Sequence, residues 1–173
     1  MATHNPGRPR SDEYAPFYDG DIVTILEQQI EATAASLVRF SETQAQWRPV
    51  TGEWNVTEIV GHLADTERAF AYRALSFARD STAPLPGIDP DAFMRDAGFA
   101  TRALTDVVDE FVAVRRASLP LFRSLEPSAW LRSGIADGNS ITVRALAYAI
   151  AGHERHHARD FPRHLAMGDA KRF

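Results

Sequence analysis

Cysteine is absent from the 173 residues, which excludes disulfides, a thiolate nucleophile and any thiolate-ligated metal, and leaves the compartment open on that ground. Lys171 is the only lysine, so the basic side chains are almost all arginine. Nor is there a basic excess: 19 Lys and Arg against 23 Asp and Glu give a formal charge of −4. A general nucleic-acid binder normally carries a basic face, so nucleic acid is not an expected partner. No apolar run reaches the length of about 18 residues that a membrane span needs. The polar start Met1–Arg10 lacks the apolar core of a signal peptide. Also missing are a glycine-rich phosphate loop, a Gly-x-Ser-x-Gly turn and a Ser-His-Asp arrangement, which disfavours nucleotide binding and serine hydrolysis. No segment alternates with period two for long enough to read as a strand. A cytoplasmic chain with neither membrane nor nucleic-acid partners is the default expectation.

The composition, 45% apolar and 24% charged, is that of a globular protein. Its length fits one domain that buries about 70% of its unfolded surface. Residues 1–19 hold three prolines and one glycine, with Gly20 following, show no periodicity and read as an N-terminal arm, its second half packed down through Tyr14, Phe17 and Tyr18. A single domain over 20–173 follows, with four long segments of helical period. The first carries Ile22, Leu26, Ile30, Leu37 and Phe40. The second starts at Asn55, with Glu58 placed for a capping box, and carries Ile59, Leu63, Phe70 and Phe77. Pro84, Pro86, Gly87, Pro90 and Gly98 make 80–100 a long loop, with one helical turn near Asp91–Arg95. The third segment carries Leu104, Phe111 and Phe122, with Pro120 expected to kink it. A loop with Pro127, Gly134 and Gly138 leads to the fourth, from about Thr142 to Pro162. The expected fold is an all-α four-helix bundle with long loops, whose connections permit crossovers.

Six histidines are present, with His4 in the arm and His164 beyond Pro162. His153 and His157 sit about 40° apart on a helix, on the stripe drawn by Leu146 and Ile150. Two imidazoles at this spacing can converge on one ion. His62, on the second segment, lies about 60° off the line of Ile59 and can face the same interior. A single core histidine is more often a hydrogen-bonding residue than a ligand. Three on two inward faces are costlier to bury without a shared partner, and they make a set of ligands for a divalent cation with a position left for water. His156, three residues past His153, could stand in for His157, although the helical angle favours His157.

The segments Trp54-Asn55-Val56-Thr57-Glu58-Ile59-Val60-Gly61-His62-Leu63-Ala64-Asp65-Thr66-Glu67-Arg68 and Gly152-His153-Glu154-Arg155-His156-His157, with Leu85-Pro86-Gly87-Ile88-Asp89 between them, resemble the DinB-like superfamily of metal-dependent enzymes, in its DinB_2 branch. The resemblance covers most of the chain. It implies a four-helix bundle, often a homodimer, with a zinc- or nickel-type divalent ion held by three histidines, which fall on His62, His153 and His157. Relatives include mycothiol-dependent maleylpyruvate isomerase and bacillithiol transferases, so a small-molecule substrate and a low-molecular-weight thiol are the partners it implies. The sequence departs from many relatives at Asp160, where glutamine is expected.

Three further residues are candidates for the site. Asp160 lies three residues past His157, either as an acceptor for a ligand's free ring N–H or a further ligand, or as a carboxylate meeting water or Arg163. Arg115 and Arg73 fall on apolar stripes. Buried arginine calls for a carboxylate partner, here Glu67, Asp65 or Asp89, or else recognises a carboxylate of the substrate. Trp47, Trp54 and Trp130 flank helix ends and read as core plugs. Two functions are therefore expected to compete. One is a metal-dependent enzyme that activates water or an exogenous thiol, since the chain has no thiol of its own. The other is a non-catalytic bundle with a closed structural metal, Asp160 or His156 completing the ligands.

Overall fold

The computed structural model describes residues 21–169; the expected arm lies outside them. Four long helices, α1 (Ile22–Leu37), α3 (Val56–Ala78), α5 (Leu104–Arg123) and α6 (Val143–Ala158), form the bundle, and α2 (Glu42–Gln46), α4 (Pro90–Ala97) and α7 (Phe161–Asp169) fill its connections. Three of the four starts have a local cause, while at α5 the Leu104 amide donates to the Glu42 carboxylate of α2. Asp21 accepts a hydrogen bond from the Thr24 amide and caps α1. The capping box expected at α3 is present: Asn55 accepts from the Glu58 amide and Glu58 accepts from the Asn55 amide, both at 2.9 Å. Thr142 caps α6 in the same way through the Ala145 amide.

The core divides into two apolar clusters at opposite ends of the bundle. Ile22 and Leu26 of α1 and Val143 and Leu146 of α6 lie in one; Leu37 and, beyond α6, Phe161 lie in the other. Helices α3 and α5 run the opposite way, from Val60 and Phe111 in the second cluster to Phe77 and Phe122 in the first. The sense is therefore up, down, down, up. Both α1 and α3 pack mainly against α5 and α6, so the connections α1–α3 and α5–α6 cross the bundle's diagonal. The parallel neighbours α3 and α5 need a return along the full bundle, about 30 Å for helices of this length. The long 79–103 connection supplies it.

That connection is more ordered than expected. Asp89 caps an eight-residue helix rather than a single turn, with Pro90 in the first turn and Gly98 at φ +70° past its end. Phe99 then packs onto α3 at Gly61, where an added Cβ would overlap its ring. Gly61→Ala is expected to cost about 1–3 kcal/mol through this overpacking, read as a lower denaturation midpoint. An unchanged midpoint would mean that the ring moves aside freely.

Three other expectations are corrected. The first helix ends at Leu37 instead of reaching Phe40, whose ring packs edge-on to Phe161 at 6.2 Å. The strandless reading fails at Ser133–Ala136 and Asn139–Thr142, which pair as an antiparallel hairpin. Its turn is Asp137-Gly138, both with positive φ (54° and 72°) as a two-residue primed turn requires. The fourth segment does not run to Pro162: α6 stops at Ala158 and Pro162 enters the first turn of α7, where no amide donor is needed. Helix α5 continues three residues past Pro120. Among the described residues no helix is long and apolar enough to cross a membrane.

Candidate metal centre

His62 lies one third of the way along α3, and His153 and His157 occupy the last two turns of α6. Because α3 and α6 are packed neighbours running in opposite directions, the three rings meet. His153 Nε2 is 3.0 Å from His62 Nε2 and 3.1 Å from His157 Nε2. Among the described residues these three are the group whose ligand atoms lie close enough to hold one metal ion, all within 4.8 Å of one another. The donor set fits such an ion. With zinc–nitrogen bonds of 2.0–2.1 Å, two nitrogens of a tetrahedron stand about 3.3 Å apart, close to the spacing here. A cation uses the three lone pairs together, whereas a ring nitrogen carries either one proton or one lone pair and bonds one neighbour at a time.

The surroundings keep His157 neutral and orient the rings. Burial, reinforced by His62 and His156, lowers the His157 pKa to about 3, so its imidazole is uncharged at ordinary pH. Thr66 Oγ1 lies 3.4 Å from His62 Nδ1, one helical turn on. Trp54 closes one side, its ring centroid 4.7 Å from that of His62 and 6.3 Å from that of His157. Phe70 stands 6.4 Å from His153 on another side. Trp54 is thus a wall of the histidine cluster as well as a plug. Trp130, stacked on Phe122, matches the plug reading, and Trp47 meets His164 edge-on.

The other candidates lie elsewhere. Asp160 is exposed in the break between α6 and α7, where its carbonyl accepts from the Arg163 and His164 amides. His156 is exposed and meets the cluster at His157, ring centroids 5.1 Å apart. Neither belongs to the three-nitrogen group. Arg73 donates to the Pro86 carbonyl at 2.8 Å and so ties α3 to the long connection.

Arg115 is 1% exposed and its partners are protein groups. Its Nε donates to both Glu67 oxygens at 2.8 and 2.9 Å, Nη2 to Glu154 at 2.7 Å and Nη1 to the Leu26 carbonyl at 3.0 Å. Thr33 donates to the other Glu154 oxygen at 2.5 Å. Burial pushes the Glu67 carboxyl up, against the pull of Arg115 and Ser118. The guanidinium is itself held above its ordinary value, because the two carboxylates outweigh the burial that would lower it. The partnership with Glu67 was among those expected; that with Glu154 was not. Glu154 lies three and seven residues past the buried Ala151 and Ala147, an inward position on the helix that its place beside the histidines hid.

A model of the DinB superfamily matches residues 25–161. The chain belongs to the DinB superfamily. Among solved structures, the DinB chain here is similar to YfiT from Bacillus subtilis, with a TM-score of 0.69 and 16% identity over 96% of this chain and 93% of that one. YfiT is described as a probable metal-dependent hydrolase with an unusual four-helix bundle topology. At this identity the likeness establishes the bundle fold. No curated protein matches the sequence.

Proposed function

We propose that His62, His153 and His157 bind one divalent metal ion, zinc or nickel, through Nε2 and that the protein is a metal-dependent enzyme of the hydrolase or thiol-transferase type. The convergence of the three Nε2 atoms of α3 and α6 carries this reading. The description of YfiT as a probable metal-dependent hydrolase supports it from outside the chain. Among the described residues the group has three ligands, and a three-ligand set keeps a coordination position for solvent or substrate, as catalytic rather than structural sites do. A dication held there supplies Lewis acidity toward water or a thiol. The protein's own part is to hold three neutral imidazoles in place, with Thr66 against His62 and Trp54 and Phe70 screening the cluster from bulk water.

The chain has no cysteine, so the two chemistries separate in one assay. Metal-free protein reloaded with zinc or nickel is incubated with activated esters, amides and other electrophiles, with and without low-molecular-weight thiols. Turnover that needs the metal but not the thiol identifies a hydrolase; turnover that needs both identifies a transferase. Metal retention without turnover across the panel, together with a large fall in melting temperature on chelation, would favour a structural ion instead.

A further inference from the structure

Midway along the bundle, between the two apolar clusters, each long helix contributes to one polar layer: Thr33 from α1, Glu67 from α3, Arg115 from α5 and Glu154 from α6. Its charges do not balance. Two carboxylates face one guanidinium, and Glu67 and Glu154 are each 2% exposed, so solvent does not compensate the difference. The layer adjoins the histidine cluster in two ways. Glu154 follows His153 in the chain, and Thr66, beside Glu67, contacts His62. Thr66, Glu67, Arg115, His153 and Glu154 also wall one small cavity with about 10 Å³ open to the centre of a water molecule, room for roughly one water.

We infer that the Glu67–Arg115–Glu154 layer is the counter-charge of the metal centre, its surplus carboxylate raising the affinity of the three histidines for a dication. The inference rests on the metal-binding reading above. Three neutral imidazoles bring no negative charge to a doubly charged ion. Inside a protein a nearby fixed charge acts through a lower dielectric than water and is little screened by salt. The layer holds such a charge rigidly, anchored by Thr33 and Arg115, on the wall of a cavity it shares with His153. Glu67 and Glu154 are positioning residues here, not ligands.

The test is the dissociation constant of zinc, measured by competition with a chromophoric chelator. Glu67→Gln removes one charge and leaves Arg115 paired with Glu154. Glu154→Gln removes the same charge from the other side and carries the test if the first variant does not fold. Each is expected to weaken zinc about tenfold or more, as losses around metal ligands do, with the melting temperature of the metal-free protein near wild type for Glu67→Gln. Thr33→Val takes a hydrogen bond from the layer and no charge, and its zinc affinity should stay within about twofold of wild type. Unchanged affinity in the glutamine variants, or equal weakening in all three, overturns the inference while the metal reading stands. A wild type that binds no more zinc than His62→Ala overturns both.

Discussion

Arg115→Met is expected to lower stability by about 3–5 kcal/mol, the range for removing one partner of a buried ion pair. The loss is not that of a charge alone. Glu67 loses bonds to both oxygens, Glu154 loses one, and the Leu26 carbonyl loses its side-chain donor. Two carboxylates then share a site buried from bulk water. Against a total stability of about 5–15 kcal/mol for a domain, this is a large fraction. For a chain of this length it corresponds to a fall in melting temperature of roughly 10 °C. Methionine keeps much of the arginine's length, so little of the effect is cavity formation. Adding Glu67→Gln and Glu154→Gln should recover most of the loss, because a neutral layer does not carry the penalty of unpaired charge. Denaturant titration of the single and triple variants checks this. A single variant within about 1 kcal/mol of wild type would show that the layer contributes little to holding the bundle together.

Much of the bundle could be read along the chain, because a buried helix writes a period of 3.6 into its residues. The stripes through Leu26, Leu63, Phe111 and Leu146 do so, and Asn55 with Glu58 marked the start of α3 by a local hydrogen-bond pattern. The hairpin was hidden for a physical reason. Its strands have four residues each, too few to show alternation, and only the Asp137-Gly138 pair signalled the turn. Helix α7 was hidden because Pro162 reads as a stop, although proline is equally at home in a first turn. The candidate ligands were legible from two faces of two helices. What joined α3 to α6 at the right height was not, since that depends on the up-down-down-up course and on the diagonal connections. The same dependence concealed Glu154: its neighbours in sequence are histidines, while its partners Arg115 and Thr33 are 39 and 121 residues away.

His157→Ala is expected to remove most bound metal, and His156→Ala to leave the stoichiometry near one per chain. Only one of these adjacent residues shares the face of His153. His157 Nε2 is 3.1 Å from His153 Nε2, and its ring is half-buried against Trp54. His156 is exposed and stands behind His157. Two imidazoles seldom retain a divalent ion through purification, so losing His157 should raise the dissociation constant by at least 100-fold, about 2.7 kcal/mol. His156→Ala removes a ring that helps lower the His157 pKa. Its effect should be confined to a small change in affinity at acid pH, where protons compete with the metal for imidazole. Metal per chain, measured by elemental analysis on both variants at equal purity, decides between them. A full His157→Ala beside an empty His156→Ala would mean that α6 turns a different face to α3 than the one described. The exchange His157→Gln sharpens the comparison, because glutamine keeps the bulk under Trp54 and removes the ring nitrogen. If it empties the site as alanine does, the missing nitrogen, and not a collapsed wall, is the cause.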